Sequence, residues 1–225
     1  MLEIIVNHIP ESNKNRPKQP NPMKYITIHE TGNTSAGADA LRHASFLNNG
    51  GGTAGVSYHY TVDDKRAVQH LPHNETAFHA GDGRGAGNTQ SIGIEIAVNS
   101  DGSFSEATGN AAFLTAMLME KHDIPLENIR RHFDWSGKNC PQRLMSNSQK
   151  GWMQFLELVK AYSETHKLIP EPGRSDEQLP APAPWAEKAW QWGIETGITD
   201  GNRPAAPATR QETVQMLYRY AVRMP

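Results

Sequence analysis

Tyr25–His29 reads YITIH and Ser91–Asn99 reads SIGIEIAVN, and both alternate apolar with polar or small residues in the period-two pattern of a strand. Strand parity puts Ile26 and Ile28 on one face and Tyr25, Thr27 and His29 on the other. In the second segment Ile92, Ile94, Ile96 and Val98 share a face, opposite Ser91, Gly93, Glu95 and Ala97. The isoleucine faces call for helices over them; the polar faces are left to border a groove. Val56–Val62 (VSYHYTV) and Ala67–Leu71 (AVQHL) supply further strands, and Ala38–Leu47, Ser105–His122 and Gln149–Thr165 read as helices. Strands interleaved with helices predict an α/β fold, a mixed central β-sheet flanked by helices. The glycine-rich stretches Asn48–Gly55 and Gly81–Gly87 read as loops beside the groove.

The chain has 225 residues, room for one substantial domain and a small one. We place the first at 1–166, a proline-rich linker (KLIPEPGRSDEQLPAPA) at 167–183, and a small helical module at 184–225. A formal charge of -2 excludes the basic footprint of a nucleic-acid protein. No apolar run reaches the ~20 residues that span a bilayer, so no membrane partner is expected. The opening MLEIIVN is too short in apolar residues for a signal peptide. A protein of this sequence is expected to be made in the cytoplasm without a leader and to act elsewhere only after release.

The strongest chemical signal is His132–Arg143, HFDWSGKNCPQR. His132 and Cys140 flank a Ser-Gly turn that folds the loop back, so both side chains can meet one ion. A catalytic zinc site takes three protein ligands and keeps a position for water. His29, at the end of its strand, leads for the third ligand, although spacing alone also fits His59, His79 or His122. Ten histidines exceed what a chain of this size needs structurally. The single cysteine excludes an internal disulfide, and a lone cysteine is by default a small buried hydrophobe. Glu95, a carboxylate among small neighbours on a strand, suits a general base, and Lys138, two residues before Cys140, an oxyanion partner.

Four segments together, YITIHET (Tyr25–Thr31), VSYHYTVDD (Val56–Asp64), AFHAGDG with SIGIEI (Ala77–Ile96) and HFDWSGKNCP (His132–Pro141), resemble the N-acetylmuramoyl-L-alanine amidases of the phage endolysin and peptidoglycan-recognition-protein superfamily. The resemblance implies a fold of that type, one zinc per chain held by His29, His132 and Cys140, and catalytic roles for Glu95 and Lys138. It also implies a catalytic part for Tyr58, for which strand parity equally allows a core role, and places His79 in the groove against substrate. The expected substrate is bacterial peptidoglycan, and the expected activity cell-wall degradation in host lysis. Recognition proteins without activity typically lack the cysteine, so Cys140 favours an enzyme over a binding module. An HExxH zinc-peptidase helix is absent.

In the last segment, Trp185, Ala189 and Trp192 recur at helical spacing, and Thr209 with Glu212 forms a capping-box pattern opening a helix over Arg210–Arg223. WAEKAWQWGIETGITDGN (Trp185–Asn202) and ATRQETVQMLYRY (Ala208–Tyr220) resemble a surface-layer homology repeat. That likeness implies a single wall-binding hairpin and, as partner, a secondary cell-wall polymer. A wall-directed tail argues against an intracellular amidase that recycles soluble fragments.

Overall fold

The computed structural model describes residues 2–167 and 187–195. The chain divides into two compact units, Met1–Lys167 and Leu168–Pro225. The first contains a six-stranded sheet built from β1 (Glu3–Val6), β2 (Tyr25–Glu30), β3 (Tyr60–Val62), β4 (Arg66–Gln69), β5 (Ser91–Ile96) and β6 (Ile129–Arg131), in the order β1-β4-β3-β5-β2-β6. Only the β3–β4 hairpin is antiparallel. The helices are α1 (Ala40–Asn48), α2 (Ala86–Thr89), α3 (Phe104–His122), α4 (His132–Ser136) and α5 (Ser146–Lys167). This is the mixed sheet flanked by helices that the alternating pattern predicts.

The isoleucine faces meet their helices. Ile26, Ile28, Ile92, Ile94 and Ile96 are fully buried in one cluster with Ala107, Ala111 and Ala112 of α3 and Phe155 and Val159 of α5. Alanines along α3 let that helix lie close to the sheet. Ser103 begins it by accepting a hydrogen bond from the Glu106 amide, and Asp123 ends it in the left-handed conformation. On the opposite face, Ala40 and Ala44 of α1 pack against Val68 of β4. Helix α1 thus covers the β4 end of that face. The middle of the same face carries Thr27, His29, Ser91, Gly93 and Glu95.

Two strands escaped the sequence reading. β1 lies within the segment considered only as a leader, and β6 (IRR) is three residues long with two arginines. Conversely, β3 begins at Tyr60 rather than Val56. The Gly93 amide donates to the imidazole Nδ1 of His59, and a side chain there takes the place of a ladder carbonyl. Helix α5 starts at Ser146 but breaks at Asn147–Gln149, all at positive φ, so regular helix resumes one residue after the start the sequence pattern predicts.

In the second unit only α6 (Glu187–Glu195) is described, with Trp190 half-buried and Trp192 exposed. The predicted linker from 168 onward and the helix expected over Arg210–Arg223 lie outside the described residues. Among the described residues no helix is long and apolar enough to cross a membrane.

Phe155 is fully buried between α5 and the sheet. Phe155→Ala should lower unfolding stability by about 3–5 kcal/mol, whereas Met153→Ala on the exposed side of α5 should stay within about 0.5 kcal/mol. Urea titrations of both variants check the contrast.

Candidate metal centre

Parallel pairing of β2 with β5 sets His29 directly opposite Glu95. Both residues lie on the face that the isoleucines do not use. The third contributor is the stretch between β6 and α5. His132 opens the single-turn α4, Gly137 ends it at φ 74°, and the Phe133 amide donates to the Cys140 carbonyl at 3.0 Å. The turn read from Ser136–Gly137 is therefore a helix end, and it returns Cys140 to His132.

His29 Nδ1 and His132 Nδ1 are 2.9 Å apart, and Cys140 Sγ is 3.9 Å from His29 Nδ1. Among the described residues, His29, His132 and Cys140 form one group of buried ligand atoms, all within 4.8 Å of one another. The alternatives for a third ligand are engaged elsewhere. His59 accepts from the Gly93 amide and contacts the Glu75 carbonyl at 2.8 Å. His122 Nε2 pairs with His73 Nδ1 at 2.7 Å. His79, expected in the groove, is buried, its Nδ1 2.8 Å from His29 Nε2 and its Nε2 3.5 Å from Ser91 Oγ.

Burial leaves the ligand atoms in their neutral forms. Burial, reinforced by the neighbouring imidazoles, holds His29 well below its usual value. Burial and the Lys138 charge push His132 down to about 4. Neutral imidazoles are the metal-binding form. Burial first, and the Glu95 charge second, push the Cys140 thiol up to about 12, and burial raises Glu95 to about 8. Glu95 Oε2 is buried with no hydrogen-bond partner, while Oε1 lies 3.9 Å from His29 Nδ1. The buried Cys140 thiol, the largely buried Glu95 carboxyl and two neutral imidazoles thus cluster near the exposed Lys138. Two nitrogens and a sulfur in this arrangement suit zinc, which accepts both donor types at bond lengths near 2.0–2.3 Å.

Tyr58 sits just before β3, buried with Ile9, Leu47, Leu71 and Ala77, and its hydroxyl is 3.2 Å from His43 Nδ1. Burial, then the Glu95 charge, raises its pKa. It is thus a core residue whose phenol remains protonated within reach of the Glu95 field.

Glu30 is a residue that the sequence reading passed over. Its carboxylate accepts from the Arg143 and Leu144 amides at 2.9 and 3.0 Å, and its own amide lies 3.4 Å from Cys140 Sγ. It ties the cysteine loop to the end of β2. The signal was present: parity puts Glu30 on the isoleucine face, where a carboxylate requires partners.

The profile of the family described as N-acetylmuramoyl-L-alanine amidase matches residues 19–143, more than half of the chain. This chain belongs to that family. The chain is 50% identical over 145 residues to the N-acetylmuramoyl-L-alanine amidase XlyA of Bacillus subtilis, a match covering 64% of this chain and 48% of XlyA. It is 47% identical over 162 residues to the amidase CwlH of the same organism, covering 72% of this chain and 62% of CwlH. The chain thus spans about half to three-fifths of these relatives' length. The solved catalytic domain of XlyA superimposes with a TM-score of 0.66 at 46% identity, over 70% of this chain and 99% of that one. The fold also matches a Staphylococcus aureus hydrolase, AmiA, at 17% identity and a TM-score of 0.60. The matched family region contains all three ligand candidates and Glu95.

A carboxyl that ionises near 4.5 when unfolded, but only at about 8 when folded, favours the folded state while protonated. That contribution is complete below about pH 4.5 and is lost as pH rises through 8. In chelator-treated protein, Glu95→Gln should therefore gain melting temperature relative to wild type between pH 5 and pH 8.5. A difference that does not change with pH would refute the burial argument.

Proposed function

We propose that this family member is a zinc-dependent amidase that hydrolyses the bond between the lactyl group of N-acetylmuramic acid and the first L-alanine of peptidoglycan, in the manner of an endolysin. The convergence of His29 Nδ1, His132 Nδ1 and Cys140 Sγ beside the unpartnered Glu95 carboxylate carries this reading. His29, His132 and Cys140 would hold one zinc. Zinc, when bound, lowers the pKa of a water to about 7 and polarises a carbonyl. Glu95 accepts a proton from the attacking water as its oxygen adds to the carbonyl carbon. Lys138 supplies positive charge as the carbonyl oxygen becomes an oxyanion. The carbon–nitrogen bond then breaks, and Glu95 returns the proton to the departing alanine amine. Tyr58, which stays protonated, can donate a hydrogen bond but cannot act as a base. A non-catalytic recogniser would not need the thiolate ligand or an unpaired buried carboxylate.

Cys140→Ser should lose both stoichiometric zinc and activity, measured by elemental analysis and by mass spectrometry of products from digested walls. Glu95→Gln should keep zinc and lose ~10²–10⁴-fold in kcat. If Tyr58→Phe is the more damaging change, the base has been misassigned.

The tail, resembling one surface-layer homology repeat, is proposed to hold the enzyme on the wall through a secondary cell-wall polymer. Tethering raises effective concentration without new contacts at the reacting bond. Ending the chain after His166 should leave hydrolysis of small soluble muropeptides near the intact rate, while pelleting with walls and lysis of whole cells fall. A truncated enzyme that still pellets as well as the full chain removes the anchoring role.

A further inference from the structure

Hydrogen-bond directions fix which nitrogen of His29 faces the cation, and they can be followed from groups that act in one sense only. The Gly87 carbonyl can only accept, and Ser91 Oγ lies 2.6 Å from it, so the serine proton goes there. The Trp135 indole can only donate, and it donates to Thr27 Oγ1 at 2.9 Å. Thr27 and Ser91 hydroxyls are 2.7 Å apart. With the serine proton committed, the threonine hydroxyl donates and Ser91 Oγ accepts. The same oxygen meets His79 Nε2 at 3.5 Å, a long contact in which the imidazole must be the donor. A neutral ring protonated at Nε2 has a lone pair on Nδ1. That lone pair faces His29 Nε2 at 2.8 Å, so His29 carries its proton on Nε2. His29 Nδ1 is left bare, directed at His132 Nδ1 and Cys140 Sγ.

Independent features seat His79 for this role. A Cβ at Gly93 would lie 2.9–3.0 Å from the His79 ring, so the imidazole occupies space that only glycine leaves on β5. The Asn88 carboxamide oxygen accepts from the amides of both His79 and Ala80 at 2.8 Å. The next residue, Gly81, lies against the other histidine: a Cβ there would sit 3.3 Å from His132 Nε2. One short segment therefore addresses both histidines of the centre.

We propose that His79 is a positioning residue: it accepts the Nε2 proton of His29 and so holds the tautomer whose Nδ1 can ligate a cation. The proposal rests on the zinc reading for its purpose, but its geometry concerns the protein alone. Partners of this kind are generally worth ~10–100-fold in metal affinity.

The test uses the full chain. In ¹⁵N-labelled metal-free protein, long-range proton–nitrogen spectra should show His29 protonated at Nε2. His79→Leu should turn His29 into a mixture of tautomers and weaken Zn²⁺ binding by ~10–100-fold in chelator competition, with circular dichroism establishing that it folds. His79→Gln, whose amide oxygen can still accept, should restore much of both. Should the leucine variant not fold, Ser91→Ala, which removes the acceptor for His79 Nε2, should loosen the same tautomer. A wild-type His29 protonated at Nδ1, or a His29 tautomer unchanged in every folded variant, overturns the proposal. A wild-type protein that binds no Zn²⁺ yet shows the expected tautomer would sink the zinc reading and leave the His79–His29 bond standing.

Discussion

Parallel pairing of β2 with β5 in one particular register is the constraint on which the rest depends. It sets His29 opposite Glu95 and Thr27 opposite Gly93, with Ile26 and Ile28 beside Ile92 and Ile94 in the core. A slip of one residue would turn the isoleucines into the groove and the histidine into the core. The apolar faces thus hold the register, and the register positions the chemistry. Because α3 and α5 cover only the isoleucine side, the polar side is free to receive the loop that brings His132 and Cys140.

Strand parity made the centre of the sheet legible. His29 and Glu95 could be assigned to polar faces because their neighbours alternate cleanly, and the eight-residue separation of His132 and Cys140 implied a returning loop. What escaped were features whose cause lies in tertiary partners. Nothing in IRR announces β6; it forms because β2 offers an open edge. His59 looks like any strand residue, yet its ring takes the place of a carbonyl and shortens β3. Residues beyond 195 and between 168 and 186 remain an expectation from sequence pattern.

Among the described residues most histidines lie outside the ligand cluster. The sequence suggested that ten were too many for structure alone, but most of those described are buried neutral hydrogen-bonding groups. His59, His70 and His73 are pushed by burial to about 4, 3 and 3. His70 meets the Thr61 hydroxyl at 2.8 Å, and His73 bridges Tyr60 and His122. A neutral imidazole both donates and accepts, which suits a sheet face where hydroxyls and interrupted ladders need partners of either sense. Abundance was therefore a poor guide to the metal centre. Convergence on one point with a thiol distinguishes His29 and His132 from the others.

The same burial that keeps the imidazoles neutral acts differently on Glu95 and Tyr58. Glu95 and Tyr58 are both desolvated, and desolvation disfavours the charged form of each. A carboxyl raised from 4.5 to about 8 still exchanges its proton near neutral pH. A phenol that starts at 10.0 and is raised further does not. The Glu95 charge adds to the phenol's reluctance, so ionising the carboxyl holds the tyrosine neutral. Under the proposed mechanism proton transfer would therefore fall to Glu95, while the Tyr58 phenol stays protonated and packed among Ile9, Leu47, Leu71 and Ala77. A cation at the ligand cluster would draw the Glu95 and Cys140 values downward, and the acid best placed to respond is the one whose Oε2 has no partner. An unpaired oxygen that would be a defect in a closed core would, under the proposed mechanism, leave this carboxylate free to take up a proton and release it.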